Sequence, residues 1–146
     1  MKYMLIMRQT DEALAAAKTA DMEALINAMG QFNESMVKAG VLLDGDGLSD
    51  PSEGFVVDFS GPSPVLTDGP YGETHELFNG FWTIQVSSKE EAAEWAKRAP
   101  LSPGQKLEVR RITDMSDFED FADNEYVRSE EEWRELSAKL RESGDS

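Results

Sequence analysis

The periodicities of this 146-residue chain predict an α+β domain in which two helices lie on one face of a mostly antiparallel sheet. Three observations carry that prediction. Residues 2–7 and 77–86 read as strands by their apolar content and period of two, residues 22–37 repeat apolar side chains at helical spacing, and the elements follow as strand, helix, strands, helix, strand. That order is the split β-α-β arrangement of a ferredoxin-like protomer.

The first strand, Lys2 to Met7, sets Tyr3, Leu5 and Met7 on one face and Met4 and Ile6 on the other. An element apolar on both sides is buried on both sides. Thr10 to Thr19 has room for a helical turn, and Met22, Leu25, Ile26, Met29, Phe32, Met36 and Val37 then mark an amphipathic helix closed by Gly40. Val41 to Leu43 starts a second strand, and Asp44 through Pro51 reads as a loop from its Gly, Asp and Pro content. Phe55–Phe59 and Pro64–Thr67 are short strands around Ser60-Gly61-Pro62-Ser63, a small hairpin. In the long strand Leu77–Val86, Trp82, Ile84 and Val86 share a face, and Gly80 signals a bulge or a close approach of another backbone. Ser88 and Glu91 form a capping-box pattern for a helix whose inner face is alanine-rich and which stops at Pro100. Lys106 to Ile112 is the last strand of the sheet. Two helices cover only one face, so a second copy of the sheet is the simplest cover for the other.

Beyond Ile112 the pattern changes. Met115 to Phe121 suits a turn of helix, and Ser129-Glu130-Glu131-Glu132 caps a helix through Arg141 whose apolar stripe is Trp133, Leu136 and Leu140. Such a stripe docks but makes no core of its own. The chain thus divides into an α+β domain over residues 1–113 and an acidic helical extension over 114–146.

Composition narrows the function classes. The net charge is −15, and residues 114–146 hold twelve acidic against four basic side chains, a net of −8. A phosphate backbone is repelled by that field, so direct nucleic-acid binding is not expected, whereas a basic protein partner is compatible with the extension. With no cysteine, disulfides, thiolate metal sites and a cysteine nucleophile are excluded. The apolar run at Met1–Met7 is too short for a signal peptide, and no stretch approaches the roughly 18 apolar residues of a membrane span, so a cytoplasmic protein is expected. No cofactor is expected either: G-x-S-x-G and Walker patterns are missing, and Gly45-Asp46-Gly47 lacks the third glycine of a dinucleotide fingerprint. The aspartates of 44–50 invite a calcium reading, but Ser49 and Phe55 stand where an EF-hand needs Gly and Glu, so no metal site is expected there.

Chemistry concentrates in Thr67-Asp68-Gly69-Pro70-Tyr71-Gly72-Glu73 and His75, the only histidine. Asp68 suits two roles, a turn-forming carboxylate that accepts backbone N–H groups, or a base held near a cleft. Glu73 and His75 are further candidates for proton transfer, and Gly69, Pro70 and Tyr71 for the rim of a ligand site. An exposed carboxylate and a surface imidazole are the commoner roles for the former two residues.

Together Met1-Lys2-Tyr3-Met4-Leu5, Lys38-Ala39-Gly40-Val41-Leu42, Gly45-Asp46-Gly47-Leu48, the Asp68-Gly69-Pro70-Tyr71 turn, Gly80-Phe81-Trp82 and Glu94-Trp95-Ala96 through Glu108-Val109-Arg110 resemble the YCII-related, DGPF-domain family, over about residues 1–113. The resemblance implies a ferredoxin-like protomer in a dimeric α+β barrel, hence a homodimer. It also implies a small cytoplasmic protein of unassigned activity. Some members are regarded as enzymes related by fold to muconolactone isomerases, and some accompany extracytoplasmic-function sigma factors. One branch is thought to pair a histidine with an aspartate. Asp68 matches that aspartate, but no histidine stands in or before the first helix, His75 occupies a lysine position of the pattern, and Tyr71 replaces a phenylalanine. Two functions follow: a module that binds a small molecule in the barrel cleft and serves as an adaptor in sigma-factor regulation, or a cofactor-free isomerase or lyase in which Asp68 moves a proton with His75 or Glu73.

Overall fold

The computed structural model describes residues 1–69, 76–102 and 104–144. The chain forms two compact units, Met1–Ile112 and Thr113–Ser146.

In the first unit, β1 (Lys2–Thr10), β2 (Leu42–Gly47), β5 (Glu76–Gln85) and β6 (Lys106–Arg111) form an antiparallel sheet in the order β2-β5-β1-β6. Helices α1 (Asp11–Ala17), α2 (Met22–Lys38) and α3 (Lys89–Lys97) and a separate hairpin, β3 (Phe55–Asp58) with β4 (Val65–Asp68), complete it. This is the ferredoxin-like order, with α2 and α3 as the two crossover helices.

The core lies on the helix side. Tyr3 and Leu5 of β1 pack with Trp82 and Ile84 of β5 and with Phe32 and Met36 of α2, and Ala92 of α3 closes the cluster. Phe32 meets Trp82 edge-on at 5.1 Å, and the buried Trp82 indole donates to Asn33 Oδ1 at 2.7 Å. Helix α2 buries a narrower stripe than its periodicity predicts, because Met22, Ile26 and Val37 are exposed. Its end is a Schellman motif: Gly40, at φ 71°, donates to Val37 O and Val41 donates to Met36 O. For α3 the capping box is shifted by one residue. Ser88 accepts from Glu91 N, while Glu91 accepts from Ser87 N and Oγ at 2.7 and 2.6 Å.

One sequence expectation about the sheet is corrected. The stretch Asp44–Gly47, read as loop, continues β2 and pairs with Gly80–Thr83. Its glycines are a packing requirement: a Cβ on Gly45 would come within 2.9 Å of Trp82 Cδ1, and one on Gly80 within 2.9 Å of Asp46 O. The loop begins only after Gly47, with a 3₁₀ turn at Pro51–Glu53. Gly80 also sits at the irregularity where β5 gains one residue over β1.

On the opposite face of the sheet, Met4 and Ile6 lie outside the core cluster, across from Thr83 and Phe81 of β5 and Arg110 and Glu108 of β6. Glu108 pairs with Arg110 and, at 3.9 Å, with Arg8.

In the second unit, a 3₁₀ segment (Met115–Phe121) opens with a capping box between Asp114 and Asp117 and precedes α4 (Glu125–Gly144). Helix α4 starts four residues before the expected Ser129 cap. Asn124 Oδ1 accepts from Tyr126 N at 2.9 Å, and Ser129 instead donates to the carbonyl of Glu125. No helix among the described residues is long and apolar enough to cross a membrane.

Candidate functional site

The β3–β4 hairpin carries the turn singled out by the sequence. Its register pairs Phe55 with Asp68 and Asp58 with Val65. At the far end Asp58 accepts from the hydroxyl and the N–H of Ser60, and those bonds hold its carboxyl below the usual aspartate value. At the near end Asp68 is the exposed last residue of β4. Gly69 follows at φ 77° and donates its N–H to Gly54 O at 3.0 Å. A left-handed residue there suits glycine, and the cross-strand bond adds one rung beyond the ladder. The turn's first N–H is therefore used by Gly54 rather than by Asp68, whose carboxylate accepts no hydrogen bond among the described residues. Pro70, Tyr71, Glu73 and His75 lie outside the described residues.

Gly69 lines a cavity of about 380 Å³ together with Leu48, Phe55, Val56, Leu77 and Phe78. Its walls are mostly apolar, with Asp50 and Glu53 as carboxylates in the lining. Asp50 caps the 3₁₀ turn by accepting from Ser52 N and Oγ at 3.0 and 2.7 Å. These bonds, with Lys18 at 3.8 Å as a weaker contributor, keep its carboxyl below the usual value. The volume falls in the range of small-molecule pockets.

A second cavity, of about 370 Å³, adjoins the first at Leu48 and Asp50 and is lined by β1, α1, the start of α2 and the segment before β6. Gln9 lines it from β1, only 5 % exposed, and among the described residues its Oε1 has no hydrogen-bond partner. Sequence reading missed this residue by ending the strand at Met7. The signal was present, because Tyr3, Leu5, Met7 and Gln9 continue one alternation onto the core face. Among the described residues no group of three or more His, Asp or Glu side chains is arranged to hold a metal ion.

Comparison with known proteins bears on the first unit. Residues 1–116 match the family model for the YCII-related domain. A search of curated proteins finds no match. That match covers the ferredoxin-like sheet and the hairpin that ends in Asp68-Gly69, and it establishes that this chain belongs to the YCII-related family.

Proposed function

We propose that the protein binds a small molecule in the cleft beside the Asp68–Gly69 turn. The supporting observation is the apolar cavity of about 380 Å³ with Gly69 in its wall. Pro70 and Tyr71, next in sequence, belong to the same proposed site, and Asp68 is solvent-accessible and paired across the hairpin with Phe55 of the cavity wall. The homodimer belongs to the same reading. The face that carries Met4, Ile6 and Phe81 lies away from the helix-side core cluster, and a two-fold copy is its proposed cover. The acidic extension offers a separate surface to a basic protein partner, the route by which an adaptor role in sigma-factor regulation would act.

The test is a metabolite panel screened by ligand-observed NMR against the wild type and Phe78→Arg, which fills the cavity with a charged side chain. Compounds that bind the wild type and lose binding in the variant support the reading; a panel that binds both equally sinks it. An enzymatic reading rests on the same accessibility of Asp68, with Glu73 and His75 as proton partners. It predicts that Asp68→Asn retains binding and abolishes turnover of the bound compound.

A further inference from the structure

We propose that α4 is an interaction surface for a second copy of itself, the two helices packing antiparallel along one seam. Trp133, Leu136 and Leu140 are 49, 53 and 62 % exposed, and Tyr126, one heptad before Trp133, is exposed as well, its ring 5.8 Å from the indole. An apolar stripe of that size left in water marks a contact surface. With Ser129 and Ser143 these residues recur in steps of three and four, at 126, 129, 133, 136, 140 and 143, which is the seam spacing of a coiled coil. The serines do not spoil the seam, because Ser129 Oγ donates to Glu125 O and Ser143 Oγ to Leu140 O within the helix. Trp133, Leu136, Ser137 and Leu140 also wall one depression on the helix, and such a set of four is the hole that accepts a side chain from a facing helix.

Size and charge select the occupant. When the helices run antiparallel with Trp133 of each opposite Leu136 of the other, Leu140 falls opposite Ser129 and Tyr126 opposite Ser143, so every layer sets a larger side chain against a smaller one. At the flanks Glu132 of each copy then stands across from Lys139 of the other, an opposite-charge contact made twice, and Glu130 across from Ser137. Among the described residues neither Glu132 nor Lys139 has an ion-pair partner within the chain. Other arrangements lose this match. A slip of one heptad in the antiparallel pair sets Glu132 against Glu132 or Lys139 against Lys139, and a parallel pair sets Trp133 on Trp133 and Glu125 beside Glu130. The seam is short, so the contact is weak by itself and is strengthened where a separate interface already holds two copies together.

The chain has no cysteine, so introduced thiols report the contact directly. The experiment uses the full chain carrying Phe81→Glu at millimolar concentration, which separates this contact from a dimer through the sheet face. In that background Ser129→Cys combined with Leu140→Cys is expected to give a covalent dimer under mild oxidation, and either substitution alone is not, because the antiparallel register brings position 129 of one copy to position 140 of the other. By sedimentation Lys139→Glu is expected to weaken self-association at least about tenfold, and the addition of Glu132→Lys to restore it. A covalent dimer from Ser129→Cys alone means parallel pairing and overturns the proposal. No cross-link in the double variant, or self-association that Lys139→Glu leaves unchanged or that Glu132→Lys does not restore, overturns it as well. Should Leu140→Cys prevent association by shortening the stripe, the charge exchange, which leaves the stripe intact, decides alone.

Discussion

Trp82 depends on a single polar contact. Its ring is 4 % exposed between β1 and α2, and its N–H is paired with Asn33 Oδ1 at 2.7 Å. Truncation of Asn33 leaves that donor buried without a partner. Asn33→Ala is expected to lower stability by about 1–3 kcal/mol, read as a shifted urea midpoint with an unchanged slope. Gly80 depends on the opposite property, the lack of a side chain. A Cβ there would fall 2.5 Å from Met7 Cε and 2.9 Å from Asp46 O, and of these only the methionine end has freedom to move. Gly80→Ala is expected to cost roughly 1–3 kcal/mol by the same measurement, the range for overpacking a filled site. A cost near zero would show that β2 shifts freely away from β5.

At the scale of an element, α2 offers the converse case. Gly30 lies mid-helix at a negative φ, where an added Cβ would meet nothing within 4 Å. Gly30→Ala should raise stability by about 0.5–1 kcal/mol, seen as a higher denaturation midpoint. For α3 the N-terminal link is electrostatic. The hydroxyl of Ser87, followed by its N–H, holds the Glu91 carboxyl below its ordinary value of 4.5. A carboxyl depressed on folding contributes stability that is present above 4.5 and is lost as the pH falls through the lower folded value. Acid titration of stability should therefore be shallower in Glu91→Gln than in the wild type below 4.5, and identical slopes would show that the Ser87 bonds do not persist in solution.

For the whole molecule, the proposed homodimer is testable at the sheet face that bears Met4, Ile6 and Phe81. Sedimentation at micromolar concentration is expected to give a dimer, and Phe81→Glu a monomer with its fold retained by circular dichroism. A specific interface of this kind covers on the order of 800 Å² per partner, enough for one sheet face. A monomeric wild type would overturn the dimer.

The sequence by itself determined the order of elements, the hairpin, the amphipathic stripe of α2 and the face of β5 that carries Trp82 and Ile84, because periodicity and capping are local properties that tertiary packing here reinforces. It also marked Asp68 and Gly69, since glycine before proline in a polar turn is a local signal. Tertiary structure alone decided that Asp44–Gly47 is strand, where a Cβ on Gly45 would meet Trp82 and one on Gly80 opposite would meet the backbone of Asp46. The start of α4 is local but was missed: Ser129 looks like a cap by its neighbours, yet Asn124 caps the helix by accepting the N–H of Tyr126. Gln9 shows the same division most plainly. Alternation puts it on the core face, but only the packing around it buries its amide oxygen without a partner, and burial without pairing is a property of the assembled fold.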